Sequence, residues 1–460
     1  MEHQAPPTRA RYVVILLLST LAFVLYLDRV CISKAAIDIQ KEFGFSETEF
    51  GWILGAFTIA YGLFEVPTGR LGDRYGSRGV LTRIVLWWSV FTALTGCIPN
   101  FQFGSSWSLN LLGWQFAVPP LISSLGLFLL VRFLFGAGEA GALPNTARVV
   151  ASWIPASERG WGQAMILTSM QVGGMAAPVL ATYLIKFVGW RWTFGIFGSL
   201  GVLWGAWFYF WYRDSPAEHP DTNEAERELI AAGCTGASGT PHHGALPWLQ
   251  VLTSLNVWML GMIMVAAAGA MYLYIGWFPS YLVKARGVES DASGWLTSMV
   301  LAGGAIGAFC GGPVSSAVVQ WTGEIRITRS LLGSVLVGLA GFCIFLSVKC
   351  DSPVYACLCV AGASFCGQAQ LSNWWAATIA ISGQHLGALF GLLNSLGVPG
   401  AFASQVFLGM FADYRKAQGF VGRDQWDPAF YIYAGMFALA SIAWLLVDST
   451  KPIVREEPAA

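Results

Sequence analysis

The chain has 460 residues, 55% of them hydrophobic and only 11% charged, against roughly 25% charged residues in an ordinary soluble domain. With 53 Gly and 21 Trp, this composition excludes a soluble fold of that size and matches a polytopic helical membrane protein, where Gly serves close helix packing and Trp the interfaces. Lys+Arg and Asp+Glu number 26 each, so the formal net charge is zero; there is no global basic field to recruit nucleic acid, and electrostatic work is local.

Arg9 and Arg11 precede the first apolar run. No small-residue cleavage site follows, because Asp28 and Arg29 interrupt the run, so it reads as a first membrane helix rather than a removed signal. Stretches able to cross a ~30 Å hydrocarbon core, about 20 residues each, fall at 12–33, 48–70, 79–98, 121–146, 160–185 and 191–212. A second series falls at 252–283, 293–320, 328–348, 353–380, 386–411 and 429–447. Between them, residues 213–250 are polar, with Glu224, Glu226, Glu228, His242 and His243, and read as a solvated linker. The expectation is an all-α polytopic protein of 12 transmembrane helices in two pseudo-symmetric six-helix halves, residues 1–212 and 251–460, joined by a cytoplasmic linker, 213–250.

Basic loop residues favour one side, most clearly through Arg70, Arg74 and Arg78 in one short turn, which places both termini in the cytoplasm; with no targeting signal to fix the host membrane, a bacterial-type cell membrane is the expectation. Gly51-Trp52 and Gly294-Trp295 open corresponding spans, and Asp73 and Ser316 follow at the same spacing, a weak internal repeat of the kind found in secondary transporters. The segment 99–120, with Trp107 and Trp114, reads as an insertion on the outer side that either lies at the membrane interface or lids the entrance. Nine cysteines form no CxxC pair and read as packing residues; no metal or cofactor is implied.

An ionisable side chain inside hydrocarbon is costly and is a functional candidate by default. Four lie clearly at depth: Asp28 and Arg29 on the first span, Arg132 and Glu139 on the fourth. Arg132 and Glu139 are two helical turns apart and share a face. With both acids ionised the arginines have partners; protonating Asp28 or Glu139 frees guanidinium charge for a carboxylate, which couples proton binding to anion binding. Glu65 is a weaker candidate nearer the inner end of its span. The second half has no charge at depth but carries Gln368, Gln370, Ser372, Asn373, Trp374, Trp375, Asn394 and Ser395, which suit either a polyhydroxylated ligand or helix-to-helix hydrogen bonding. Tyr26, Tyr61, Tyr272, Tyr274 and Gln171 carry the same two readings.

The turn Gly69-Arg70-Leu71-Gly72-Asp73-Arg74-Tyr75-Gly76-Ser77-Arg78 resembles the signature loop of the major facilitator superfamily, with Gly69, Asp73, Arg74, Gly76 and Arg78 as its gating residues. Tyr26-Leu-Asp28-Arg29, the run Arg132 to Asn145, Trp277-Phe-Pro-Ser-Tyr281-Leu and Gly391-Leu-Leu-Asn394-Ser-Leu-Gly resemble the anion:cation symporter family, which includes galactonate and hexuronate transporters and sialin. That resemblance implies Asp28 and Glu139 as the proton-coupling carboxylates and Tyr26, Arg29, Tyr61, Arg132, Gln171, Trp374 and Asn394 as substrate contacts, Arg132 partnering the acid of the fourth span. It also implies a monomer whose partners are a small organic anion, a proton and the bilayer. Ser316 stands where the family usually has Asp.

The function expected is a secondary active transporter of organic anions, a proton-coupled symporter of an aldonate or hexuronate working by alternating access. An exchanger or uniporter, including one for phosphorylated compounds, and a non-transporting sensor are the alternatives. A membrane enzyme is disfavoured, since the chain has no HExxH, no GxSxG elbow in context and no intramembrane His cluster.

Overall fold

The computed structural model describes residues 6–101, 107–111, 114–118, 123–234, 248–323, 325–382 and 386–451. The architecture is helical: α1 (Ala10–Phe43), α2 (Glu47–Tyr75), α3 (Ser77–Cys97), α4 (Ser124–Glu139), α5 (Ala142–Trp153), α6 (Arg159–Trp211), α7 (Glu224–Cys234), α8 (Trp248–Thr253), α9 (Leu255–Tyr272), α10 (Phe278–Lys284), α11 (Ser290–Thr322), α12 (Ile325–Lys349), α13 (Pro353–Ser382), α14 (Leu386–Ser395), α15 (Gly397–Ala417) and α16 (Arg423–Leu446). Ten helical stretches among the described residues are long and apolar enough to cross a membrane. The 53-residue α6 holds two of the expected spans, because Gly189 leaves helical space at φ 81° and ψ 162°, a conformation open chiefly to Gly. The charged α2, with 29 residues, supplies one more, which completes the twelve.

Local chemistry explains the helix ends. Gly44 stops α1 in the left-handed conformation and donates its N–H to Gln40 O, and Gly323 ends α11 the same way through Val319 O. The Ser123 hydroxyl accepts from Gly126 N at 3.1 Å and starts α4. The α9 and α10 segments form one span interrupted by a π-helical turn, Leu273–Trp277.

The segment 99–120 contains a two-stranded antiparallel ribbon, β1 (Trp107–Leu111) and β2 (Trp114–Val118), with Trp107 opposite Val118 and Leu111 opposite Trp114. Its base is clamped where Ser124 Oγ accepts from Phe101 N at 2.7 Å and donates to Pro99 O at 2.8 Å.

The chain divides into two compact units, residues 1–45 with 52–240 and residues 46–51 with 241–460. Within the first, Gly173 lies against the backbone of Phe23 and Gly136 against Phe57 O, so α6 meets α1 and α4 meets α2 at backbone distance. Within the second, Gly303, Gly307 and Gly311 form one row of α11 facing the carbonyls of Ala361, Phe365 and Ala369 on α13.

Residues 213–234 are more ordered than their polarity implies. Glu226 on α7 is fully buried and accepts hydrogen bonds from Thr8 Oγ1, from the Ala10 and Arg11 backbone N–H groups at 3.3 and 3.2 Å, and from Arg11 Nη1 at 3.0 Å. The carboxylate therefore sits on the N-terminus of α1, where the helix dipole favours negative charge. Arg11 also donates to Glu158 Oε2 at 2.9 Å. His219 is buried against Trp153 and Trp211. His242 and His243 lie outside the described residues.

Candidate functional site

The first unit brings the four depth charges into one place. Arg29 projects from α1 toward α4, where Nε donates to Glu139 Oε1 at 3.0 Å and Nη2 donates to the same oxygen. Three rings surround the guanidinium, with Cζ 5.1 Å from the Tyr26 ring, 5.1 Å from Phe57 and 4.9 Å from Tyr61. Arg132 stacks instead on Phe135 at 4.5 Å and Phe57 at 5.4 Å. The hydrogen bonds to Glu139 thus come from Arg29, while Arg132, two turns away on the same helix with its guanidinium over the aromatic rings, acts on Glu139 through its charge.

Asp28, Arg132 and Glu139 are all 2% exposed or less. Both Asp28 oxygens, Arg132 Nε and Glu139 Oε2 are buried with no hydrogen-bond partner among the described residues. Asp28 faces Arg132, Glu139 and the Trp88 indole, and Cys31, one turn further along α1, faces Asp28 and Arg132. Glu65 on α2 faces Arg29. Buried polar atoms are normally satisfied, so several open positions in one cluster set it apart from an ordinary structural network.

Contrast marks the difference between site and scaffold. In the second unit the Arg286 side chain is also buried, yet its Nε donates to Tyr281 Oη at 2.8 Å, Nη1 to Cys350 O at 2.5 Å and Nη2 to Ser347 O at 2.8 Å. Tyr281 Oη in turn donates to Asp427 Oδ1 at 2.8 Å, and Arg423 Nε donates to Asp427 Oδ2 at 2.9 Å. All three nitrogens of Arg286 are used, which is the mark of a structural arginine. Sequence reading missed this network; the Trp277-to-Leu282 motif, which includes Tyr281, was its only signal.

The remaining assigned residues are distributed as follows. Gln171 is half-buried on α6, one turn before Gly174, whose Cα faces the Tyr26 ring. Trp374 is fully buried and donates Nε1–H to Leu260 O at 3.0 Å, while the adjacent Trp375 is exposed and packs edge-on against Phe390 at 4.6 Å. Gln370 accepts from Trp444 Nε1, and Asn373 donates to Arg329 O and accepts from Ser315 Oγ. These two amides therefore serve helix-to-helix bonding. Ser315 is the buried serine of its turn and Ser316 is exposed, so Ser315 and not Ser316 faces the helix bundle there. Asn394 is half-buried on α14.

In the signature turn, Gly69 packs against Pro144, and Gly76, at φ 80°, separates α2 from α3. Arg78 donates its backbone N–H to Asp214 Oδ1 at 2.9 Å and its Nε to Tyr209 O at 2.9 Å. Asp214 thus holds the start of α3, a role that the sequence did not suggest. Arg74 is exposed and lies over Tyr75. The Asp73 side chain lies outside the described residues.

The sequence model of the Major Facilitator Superfamily matches residues 18–405. The chain is 28% identical over 403 residues to the probable sulfoacetate transporter SauU of Cupriavidus necator, covering 87% of each chain. It is 29% identical to the probable galactarate/D-glucarate transporter GudP of Escherichia coli, covering 74% of each. To the probable L-galactonate transporter of the same organism it is 28% identical, covering 74% of this chain and 75% of that one. Among solved structures, a bacterial homologue of the human lysosomal transporter Spinster superposes with TM-score 0.75 at 17% identity, covering 95% and 96% of the two chains. A D-xylose-proton symporter superposes at 0.72 and 15%, covering 96% and 98%. With the family match spanning most of the chain and the helical fold shared, this protein belongs to the Major Facilitator Superfamily and is a membrane transporter, not an enzyme.

Proposed function

We propose that the protein is a proton-coupled symporter of a small organic anion, of the sugar-acid class, working as a monomer in the cell membrane with both termini in the cytoplasm. The observation that carries this reading is the Arg29–Glu139 pair, in which Nε and Nη2 both go to one carboxylate oxygen while Oε2 stays open. A proton taken on Oε2 neutralises the carboxylate and releases the guanidinium, which then binds the carboxylate of an incoming anion in a two-pronged geometry. Asp28 is the second proton site, beside Arg132, and Arg132 supplies a second positive charge with an open Nε. Tyr26, Tyr61 and Gln171 offer hydroxyl and amide groups to the hydroxyls of a sugar acid. Relatives named for galactarate, D-glucarate and L-galactonate support that class, and the relative named for sulfoacetate supports a small organic anion.

The test is reconstitution into liposomes containing a pH dye, with D-glucarate, L-galactonate, sulfoacetate and a sugar phosphate as probes. Symport predicts that one of the acids acidifies the lumen in the wild type and not in Glu139→Gln. Exchange of labelled probe without acidification in either protein overturns the coupling, and the absence of any flux overturns transport of these anions.

A further inference from the structure

One aromatic ring serves both buried arginines. Phe57 on α2 is 3% exposed; its ring lies 5.1 Å from Arg29 Cζ and 5.4 Å from Arg132 Cζ, and it packs against Phe135 at 5.5 Å and Tyr61 at 5.9 Å. Gly136 sits directly on Phe57 O, so α2 and α4 are locked together at this residue and the ring has a fixed seat. The two guanidiniums are close enough to feel each other's charge. Like charges in a low-dielectric interior repel, and the negative face of a π-system is an attractive wall for both. The Phe57 ring therefore contacts both cations and, unlike the carboxylates around them, cannot be neutralised by a proton.

We propose that Phe57 is a positioning residue for the coupling chemistry, holding Arg29 and Arg132 in place while Glu139 exchanges its proton. This inference rests on the proposed symport but extends it. When Glu139 is protonated, Arg29 loses that salt bridge and keeps the rings of Tyr26, Phe57 and Tyr61, so the guanidinium stays where an anion can reach it instead of relaxing away. The negative face of the ring also offsets part of the field of the two cations at Glu139, so without it the carboxylate is held more firmly in its charged form and a proton competes less well there. The charged or titratable groups facing Arg29 and Glu139 are Tyr26 and Asp28 on α1, Tyr61 and Glu65 on α2 and Arg132 on α4, with Cys31 beside Asp28 and Arg132.

Two readouts test this on the purified full-length protein, comparing wild type, Phe57→Leu, Phe57→Tyr and Phe57→Trp. The first, which needs no substrate, is an infrared titration of the Glu139 carboxyl stretch, assigned by its loss in Glu139→Gln. Phe57→Leu is expected to move the midpoint down by about one pH unit, the scale of a desolvated cation–π contact, while the two aromatic variants stay near wild type. The second is uptake of L-galactonate, D-glucarate and sulfoacetate, where Phe57→Leu raises KM roughly tenfold with Vmax within about twofold. An unchanged infrared midpoint in a well-folded Phe57→Leu overturns the proposal, as does an equal shift in Phe57→Tyr and Phe57→Trp. If the wild type carries none of the probes, the transport reading falls for them and the infrared arm still decides the role of Phe57.

Discussion

Arg29 gives two donors, Nε and Nη2, to a single oxygen of Glu139, and the other oxygen of that carboxylate remains open. Shared use of one oxygen differs from the parallel two-by-two pairing that arginine and carboxylate adopt when they form a closed structural bridge.

This geometry predicts a separation of coupling from binding. Glu139→Gln keeps an oxygen for Arg29 but takes no proton, so proton-driven accumulation should fall about a hundredfold while exchange of labelled anion across the membrane persists. Arg29→Lys retains the charge and loses the planar fork, and is expected to raise KM by about tenfold or more. Side-by-side measurement of gradient-driven uptake and counterflow checks both.

The clasp at the start of α1 predicts a stability effect without a transport signature of its own. Glu226→Ala leaves two backbone N–H groups buried without their acceptor and takes one of two carboxylates from Arg11, which keeps Glu158, a loss of about 2 kcal/mol. The apparent Tm in detergent should drop by several degrees, and Glu226→Gln should recover much of it.

His219 predicts a pH effect of definite sign. Burial depresses its basicity below the ordinary value of 6.5, and its ring nitrogens are committed to Trp211 O at 2.9 Å and to the Asp221 N–H at 3.1 Å. Asp221, Arg213 and Glu226 act on it electrostatically. Since the docked state holds the neutral ring, its stabilisation is complete above pH 6.5 and is lost as the pH falls through and below that value, where the undocked chain takes up a proton first. Hydrogen exchange across residues 216–234 should rise as pH drops toward about 5, after correction for intrinsic rates. In His219→Gln that pH dependence should flatten.

The two adjacent tryptophans of α13 should separate. Trp374→Phe removes the bond to Leu260 O and is expected to cost about 1 kcal/mol in stability, with KM changed by less than about twofold. Trp375→Ala, at an exposed position, should leave Tm near wild type. Thermal unfolding and uptake kinetics on the same preparations resolve the pair; a large KM increase in Trp374→Phe with unchanged Tm would place the indole at the substrate.

Much of this architecture is legible in the sequence because bilayer crossing writes itself as length and hydropathy. Asp28, Arg29, Arg132 and Glu139 stand out because charge is so expensive at that depth. Their pairing does not, since spacing along one helix puts Glu139 and Arg132 on a shared face but cannot tell which arginine of a neighbouring helix arrives first. Phe57 is invisible for a related reason: one more aromatic in an apolar span carries no signal until two cations are found against it. A polar run such as 213–250 reads as solvated, and only the N-terminus of α1, far away in sequence, explains why Glu226 is buried.

The docking of α7 also tells an engineer where to divide the gene. A break after Arg213, suggested by the last apolar span, would hand Glu226 to the wrong fragment and strip Arg11 and the start of α1 of their cap. A break between Cys234 and Trp248 leaves that clasp intact, so fragments 1–234 and 248–460 are the pair to co-express when each half of the transporter is to be tagged or labelled separately.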